Sequence, residues 1–428
     1  MQLFSFLKKK FVKNVLTLIT GSAISQVIIY ASILVLTRLF STELFGVYML
    51  FTSTILILKP IATLQYELAI VLPKKDSDAI NVLALSLIIT LVLSAILMLV
   101  VLLFHQSILM LFEIEKLSFF IYFIPLSTLL FGIITSLNYW NNRNNVFENI
   151  AKANVIKSST IGISQIATGL SSFNAFGLVP GMILGQVSQL IFLLKTSLTS
   201  IGKLRNEISF NSMFSLAKKY KDIPLFNTFI NFLNTLSNEI PVLMITKYFG
   251  LSSAGIYGLA VKIGRAPSGI IQESVSQVFF NKATKTFNEE EDLQEVVKKT
   301  GINLLKISAL IFIPLIIISF YLDFIFGENW SEVGIYLRII IPWLFIMLIS
   351  SPLTNLIVIL NKQRVILFYD IFLLAFRFLA FYIGYHFYND IIISLILFSG
   401  VGVFFNIFIL IYLYKASKNL KKKRVPYN

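Results

Sequence analysis

Apolar stretches long enough to cross a bilayer recur along the chain, each closed by a short polar or basic segment. The runs Ile80 to Phe104, Gly301 to Phe326 and Ile391 to Tyr414 each exceed the roughly 20 residues a helix needs to span the hydrocarbon core. A helix satisfies its backbone groups internally, as lipid demands, and the roughly ten-residue alternation of an outer-membrane barrel is absent. The pattern predicts an all-α integral membrane protein with twelve spans, near residues 14–37, 44–64, 80–104, 117–137, 150–170, 176–198, 223–246, 255–276, 301–322, 335–360, 366–388 and 391–414. The fifth is the least apolar, because Lys157, Ser158, Ser159 and Thr160 lie inside it.

One of the two longest connections predicted to face the cytoplasm, residues 199–222, carries Lys203, Arg205, Lys218, Lys219 and Lys221 and divides the spans six and six. The expected organisation is an N-terminal six-helix bundle over 1–198, a cytoplasmic linker over 199–222, a C-terminal six-helix bundle over 223–414 and a basic cytoplasmic tail over 415–428. An ungapped self-match at a shift of 209 residues supports two halves. Arg38, Phe40, Gly46, Tyr48 and Leu50 align with Lys247, Phe249, Gly255, Tyr257 and Leu259, each set at the first outer turn of its half. Six spans per half send both copies into the membrane in the same direction, so the repeats are expected to be parallel.

Charge orients this map. With the N-terminus inside, the inner segments and their flanking helix ends hold 26 of the 36 basic residues, the outer loops only Arg38, Lys116 and Lys247. That bias puts both termini in the cytoplasm. The net charge of +15 then reads as topology and adhesion to anionic lipid, not as nucleic-acid binding. The hydrophobic content of 57% with only 13% charged residues is more apolar surface than a soluble domain could cover. The first apolar stretch runs on to Leu36, too long for a signal-peptide core, and is expected to be retained as a helix. With no cysteine and only the isolated His105 and His386, disulfides, thiol catalysis and a histidine metal cluster are excluded. No Walker A sequence or glycine-rich nucleotide loop is present, so ATP hydrolysis by the chain itself is excluded too.

Polar residues inside the spans are the candidate chemistry. Asn227, Asn231, Asn234 and Asn238 recur at steps of four, three and four, which puts four amides on one helical face. Lipid will not accept that stripe, so it faces other helices, as interhelical hydrogen bonding would have it, or a wet sugar-binding wall. In the eighth span Lys262, Arg265, Gly269, Gln272 and Ser276 share a stripe; Arg377 stands at the centre of the eleventh and Lys157 inside the fifth, in line with Thr160, Ser164 and Thr168. A cation in the membrane costs on the order of 3 kcal/mol on insertion scales, so these residues suggest an anionic ligand. Arg265 and Arg377 lead as diphosphate contacts because the guanidinium fork donates two parallel hydrogen bonds; the alternative is a structural ion pair with Glu239 or Glu273. Lys59 and Lys306 lie near cytoplasmic ends and are explained first by snorkelling, with Lys59 kept as a substrate-binding candidate. Glu67, Glu239 and Glu273 are candidates for ion coupling. Gly181 and Gly185 form a GxxxG pair read as close helix packing.

The chain resembles the bacterial polysaccharide flippases, exporters of lipid-linked oligosaccharides such as O-antigen units within the superfamily that also contains the MATE drug exporters. The resemblance runs over nearly the whole chain. It is carried by the basic opening helix with Gly21 to Gln26, the turn Arg38 to Tyr48, the segment Tyr66 to Lys74, and Gly264 to Pro267 followed by Gln277 to Phe280. It implies two six-helix bundles around a central cavity that opens alternately to either side of the bacterial inner membrane. It implies an undecaprenyl-diphosphate-linked glycan as cargo, lipid and polysaccharide polymerase or assembly proteins as partners, and no cofactor. Lys262, Arg265 and Arg377 fit the family's cationic cavity lining by type and depth. The acidic residue of many MATE exporters is missing from the first span, which weakens a drug-export reading. A peptidoglycan-precursor flippase and a MATE-type exporter remain alternatives. A membrane-embedded glycan polymerase would need a sizeable outer loop that the chain lacks.

Overall fold

The computed structural model describes residues 2–112, 115–171, 177–289 and 291–418. The side chain of Glu273 lies outside the described residues, as do residues 419–428 of the basic tail. Among the described residues every regular element is helical and there is no strand. The chain divides into two compact units, Met1–Glu239 and Ile240–Asn428.

The first unit contains α1 (Gln2–Leu39), α2 (Thr42–Ala62), α3 (Asp76–Phe112), α4 (Phe123–Arg143), α5 (Phe147–Gly169), α6 (Leu178–Leu204), α7 (Phe210–Lys219) and the beginning of α8 (Thr228–Arg265). The second contains the rest of α8, then α9 (Ser268–Asn288), α10 (Leu293–Ile318), α11 (Leu322–Phe326), α12 (Glu332–Leu353), α13 (Leu356–Ile359), α14 (Gln363–Tyr388) and α15 (Ile391–Lys418). Most predicted spans fall mainly on one of these helices; the tenth runs from α12 across Thr354 and Asn355 into α13. The predicted eighth span is broken at Ala266 and Pro267, where proline has no N–H to continue the helix; its halves are the end of α8 and the start of α9. The turn expected between the seventh and eighth spans is made by Gly250, whose φ of +85° interrupts α8 in a region that glycine enters without a Cβ clash.

Nine helices among the described residues are long and apolar enough to cross a membrane. The three predicted spans outside that set, the fifth, seventh and eighth, are those that carry the cation of α5, the amide stripe of α8 and the basic stripe shared by α8 and α9. Their polarity is what lowers them. They are sheltered in different degrees: α5 packs along both α1 and α6, while the π turn Ile223–Asn227 and the first part of α8 leave Asn227, Asn231 and Asn234 exposed.

In the first unit the α5–α6 seam depends on the two glycines of the sixth span. A Cβ at Gly181 would sit 2.5 Å from Gln165 Cγ, and one at Gly185 would sit 2.3 Å from Ile161 Cγ1 and 3.0 Å from the Lys157 carbonyl oxygen. Close packing, as the GxxxG spacing predicts, is what the structure contains. The hydroxyls of Ser164 and Thr168 donate to carbonyls one turn back in α5, at 2.6 and 2.8 Å. Ser164 also reaches the Gly181 carbonyl of α6 at 3.4 Å, and neither residue lines the cavity that Lys157 lines. Asn81 ties the linker to α3, its amide donating to the Glu207 carbonyl and its oxygen accepting from the Ser209 N–H, both at 2.8 Å.

In the second unit α12 packs on α9, α10 and α15, and α14 packs on α15. One copy of the repeated motif begins at the turn between α1 and α2, the other at the Gly250 break within α8. Each contains a buried run, Phe45 to Phe51 in one and Ala254 to Ala260 in the other.

Candidate functional site

A cavity of about 510 Å³ lies within the first unit, lined from α2, α4, α5, α6, the start of α8 and the 3-10 turn Tyr66–Val71. Its wall is unusually polar for a membrane bundle. Lys59 and Lys157 line it, with Glu67 and Tyr139, and amides enter it from Gln65, Asn138, Asn154, Gln186, Gln189 and Asn231.

The local fold explains how these groups arrive. Chain direction reverses between α2 and α3 through Leu64 and Gln65, both left-handed at φ +47° and +56°, a conformation that costs a non-glycine residue on the order of 1 kcal/mol. The reversal puts Gln65 and Glu67 on the cavity wall. Three anchors hold the turn in place. Gln65 Oε1 accepts from Asn231 Nδ2 at 3.0 Å, the Tyr66 hydroxyl donates to the Ala217 carbonyl at 3.1 Å, and Arg143 donates to the Pro73 carbonyl at 2.7 Å while pairing with Asp76 at 2.8 Å. Glu67 is 8% exposed and accepts a hydrogen bond from Thr63 Oγ1. It lies on the turn outside the spans, and burial pushes its carboxyl above the ordinary carboxylate range, opposed by Thr63 and by the charge of Lys59.

Two ammonium groups, Lys59 and Lys157, face one carboxyl, Glu67, on this wall, and Glu67 lies within electrostatic reach of Lys59. Lys59 and Lys157 lie within electrostatic reach of each other, and neither makes an ion pair among the described residues. The Lys59 ammonium stands 5.1 Å from the centroid of Phe131. Snorkelling would send it to the bilayer surface; instead it lines the cavity. Three amide atoms on the wall also have no hydrogen-bond partner: Asn138 Oδ1, Gln186 Nε2 and Gln189 Oε1. Gln186 and Gln189 are 1% and 2% exposed and are aimed by their other amide atoms, Gln186 accepting from Ser127 Oγ and Gln189 donating to Asn154 Oδ1, both at 2.9 Å. A buried polar atom without a partner costs about 1–3 kcal/mol. Cations and amides left unmet around one cavity are fit to receive an anionic, hydroxyl-rich ligand.

A second cluster lies within the second unit. Arg377 is 1% exposed, and its guanidinium carbon is 4.9 Å from the ring centroids of both Trp343 and Phe398. Arg265 reaches the same tryptophan at 5.4 Å. Asp370, two turns before Arg377 on α14, is also 1% exposed and within electrostatic reach of it. The two arginines expected to lead in diphosphate binding are therefore gathered around Trp343 and do not line the described cavity.

The family model for polysaccharide biosynthesis proteins matches residues 35–334. The chain belongs to the polysaccharide biosynthesis protein family. No curated protein sequence matches it. Solved structures of similar fold include an inward-facing multidrug resistance MATE family transporter of the MOP superfamily, at 13% identity and a TM-score of 0.72 over 95% of this chain and 100% of that one. Another is a MOP superfamily transporter from Pyrococcus furiosus described as having a binding pocket of reversed polarity, at 15% identity and 0.67 over 97% of each chain. A third is a Vibrio cholerae MATE transporter mutant, at 15% identity and 0.65 over 99% of each chain. This polysaccharide biosynthesis protein is thus a multi-pass membrane protein with the MATE fold.

Of the residues singled out in the sequence of this family member, the structure brings Lys59, Glu67, Lys157 and Asn231 together. Asn227 lies in the π turn before α8, Asn234 and Asn238 lie on α8, and none of the three lines the cavity; Asn238 donates to the Asn234 carbonyl at 2.9 Å. Glu239 accepts from Ser53 Oγ at 2.7 Å. Lys262 is half-buried on α8, and Gln272, on α9, has a buried Nε2 without a partner. Sequence reasoning passed over Gln186, Gln189, Asn138 and Tyr139. The signal was present, since an amide in an apolar span is as costly in the sixth helix as in the seventh.

Proposed function

We propose that the protein is a flippase that moves undecaprenyl-diphosphate-linked oligosaccharide units across the bacterial inner membrane by alternating access, for cell-surface polysaccharide assembly. One observation carries this reading: two lysines without ion-pair partners face a cavity whose amides are partly unmet. A sugar diphosphate headgroup cannot cross hydrocarbon unaided, because every hydroxyl and phosphate oxygen would lose its hydrogen bonds to water. The ammonium groups of Lys59 and Lys157 supply point charges for the diphosphate, and the amides of Asn138, Gln186 and Gln189 supply both donors and acceptors for sugar hydroxyls. The polyprenyl chain stays in lipid while the headgroup exchanges water for this wall. Both termini are taken to be cytoplasmic from the distribution of basic residues. Family membership supports the glycan class of the cargo, and the MATE fold supports a transporter over an enzyme.

The test is a reconstituted system. Proteoliposomes carrying a fluorescent undecaprenyl-diphosphate glycan should expose it to a membrane-impermeant glycan-oxidising reagent faster than protein-free vesicles, and the Lys59→Met, Lys157→Met double variant should lose that acceleration. Equal rates in the two proteins would refute the assignment. Formation of a glycosidic bond by the purified chain would replace it with an enzymatic one.

A further inference from the structure

The lysine cavity carries its own acid. Glu67 stands on its wall with Lys59 and Lys157, so the three charged side chains sum to +1 when the carboxylate is ionised and +2 when it is protonated. A disubstituted diphosphate carries two fixed negative charges. Before it enters, Glu67 is a counter-ion to Lys59; afterwards, an ionised Glu67 would face an anion of its own sign.

The other groups around Glu67 leave it as the group that can change. From α2 it meets Lys59 and Thr63 and from α4 Tyr139, and Lys157 of α5 shares the cavity wall. Arg143 of α4 is engaged with Asp76 and with the Ile70 and Pro73 carbonyls. The helix α3 presents Ala79, Ile80, Val82 and Leu83 to the turn, with Asp76 and Asp78 at its exposed start. The helices α6 and α8 add amides and a threonine to the wall, and the π turn Ile223–Asn227 packed on the 3-10 turn has no titratable residue.

We propose that Glu67 takes up a proton when an anionic ligand binds in the cavity, so that ligand and proton bind together, in contrast to an antiporter's exchange of one for the other. The inference rests on the cavity being the anion site. The carboxylate oxygen takes the proton from bulk water, no other bond is made or broken, and the carboxyl becomes a hydrogen-bond donor able to face a phosphate or sugar oxygen. Burial already favours the protonated form of Glu67, and a doubly charged neighbour favours it further. Because linkage is reciprocal, affinity for the anion must rise as pH falls, by at most tenfold per pH unit for one proton. A proton bound with the cargo also leaves with it, so a proton gradient across this site cannot drive export through Glu67; removal of the delivered glycan would have to.

The experiment uses the full chain in lipid nanodiscs and UDP-glucose, a soluble sugar diphosphate whose two charges do not titrate near neutrality. Calorimetry in buffers of different ionisation enthalpy counts protons per ligand bound. Wild type should take up a fraction of one proton, approaching one where Glu67 is ionised when free, and its affinity should rise toward acid pH. Glu67→Gln should bind with pH-independent affinity and no uptake. Thr63→Val, which removes the hydrogen bond to the carboxylate, should move the uptake window to higher pH and serves if Glu67→Gln does not fold. Binding that is lost in Lys157→Met but releases protons in wild type, takes up none, or keeps its uptake in Glu67→Gln overturns the inference and leaves the anion site standing. No binding by wild type, or binding unchanged in Lys157→Met, overturns the anion site itself and the inference with it.

Discussion

Replacing Lys157 by methionine should make the protein more stable and less active at once. Lys157 lies seven residues into the predicted span 150–170 of α5 (Phe147–Gly169), about 10 Å along a helix that rises 1.5 Å per residue. That is roughly a third of the way into a hydrocarbon core of about 30 Å. A lysine costs about 2.5–3.5 kcal/mol at the centre of a span on insertion scales and less toward its ends, and this one has no ion pair among the described residues to offset it. The cavity is polar, so hydration recovers part of the penalty; halving it leaves a gain of roughly 1–2 kcal/mol when methionine keeps the packing and drops the charge. Stability measured by reversible unfolding in mixed micelles should rise by that amount. Transport of a lipid-linked glycan in proteoliposomes should fall at least tenfold. Opposite signs in the two assays are expected where a charge is kept for function against its structural cost. A variant that loses stability would show Lys157 to be a structural cation, and the reasoning from a charge without an ion pair would fail.

Gly185→Ala should destabilise the first unit by about 1–3 kcal/mol, since its Cβ would meet Ile161 Cγ1 at 2.3 Å; unchanged unfolding would mean that the α5–α6 seam yields freely. Arg377→Ala should cost about 3 kcal/mol or more by opening a hole against Trp343 and Phe398 and losing two cation–π contacts, and Arg377→Met should recover much of it; equal thermal stability in both variants would contradict the packing role. In this cysteine-free chain, Asn227→Cys, Asn231→Cys and Asn234→Cys should react with a membrane-impermeant maleimide, while Asn238→Cys, at a half-buried position, should react more slowly; four inert sites would mark the stripe as helix packing. A periplasm-active reporter fused after Ser171 or Asn389 should be active and one fused after Lys75 or Arg205 inactive; reversal at two sites would overturn the topology.

The order of the helices and their places along the chain were legible in the sequence because lipid imposes one rule on every span, and that rule is written in local hydropathy. The repeat at the Arg38 and Lys247 turns could be read for the same reason: a turn and the buried run after it are local features. The GxxxG pair could be read because spacing alone puts Gly181 and Gly185 on one face of α6. Partnership between distant helices was not legible. Lys59 looked like a residue reaching for the bilayer surface, and only the packing of α2 against α4, which brings its ammonium over Phe131, turns it into the cavity. That Arg377 is buried against Trp343 of α12 and Phe398 of α15 follows only from the packing of those helices. The cavity is assembled from α2, α4, α5, α6, α8 and a turn whose left-handed residues Leu64 and Gln65 carry none of the usual glycine signature. Hydropathy says that a polar group in a span must find a partner; which partner it finds, or whether it is left for a ligand, is decided by contacts between residues far apart in the chain, and those exist only in the folded structure.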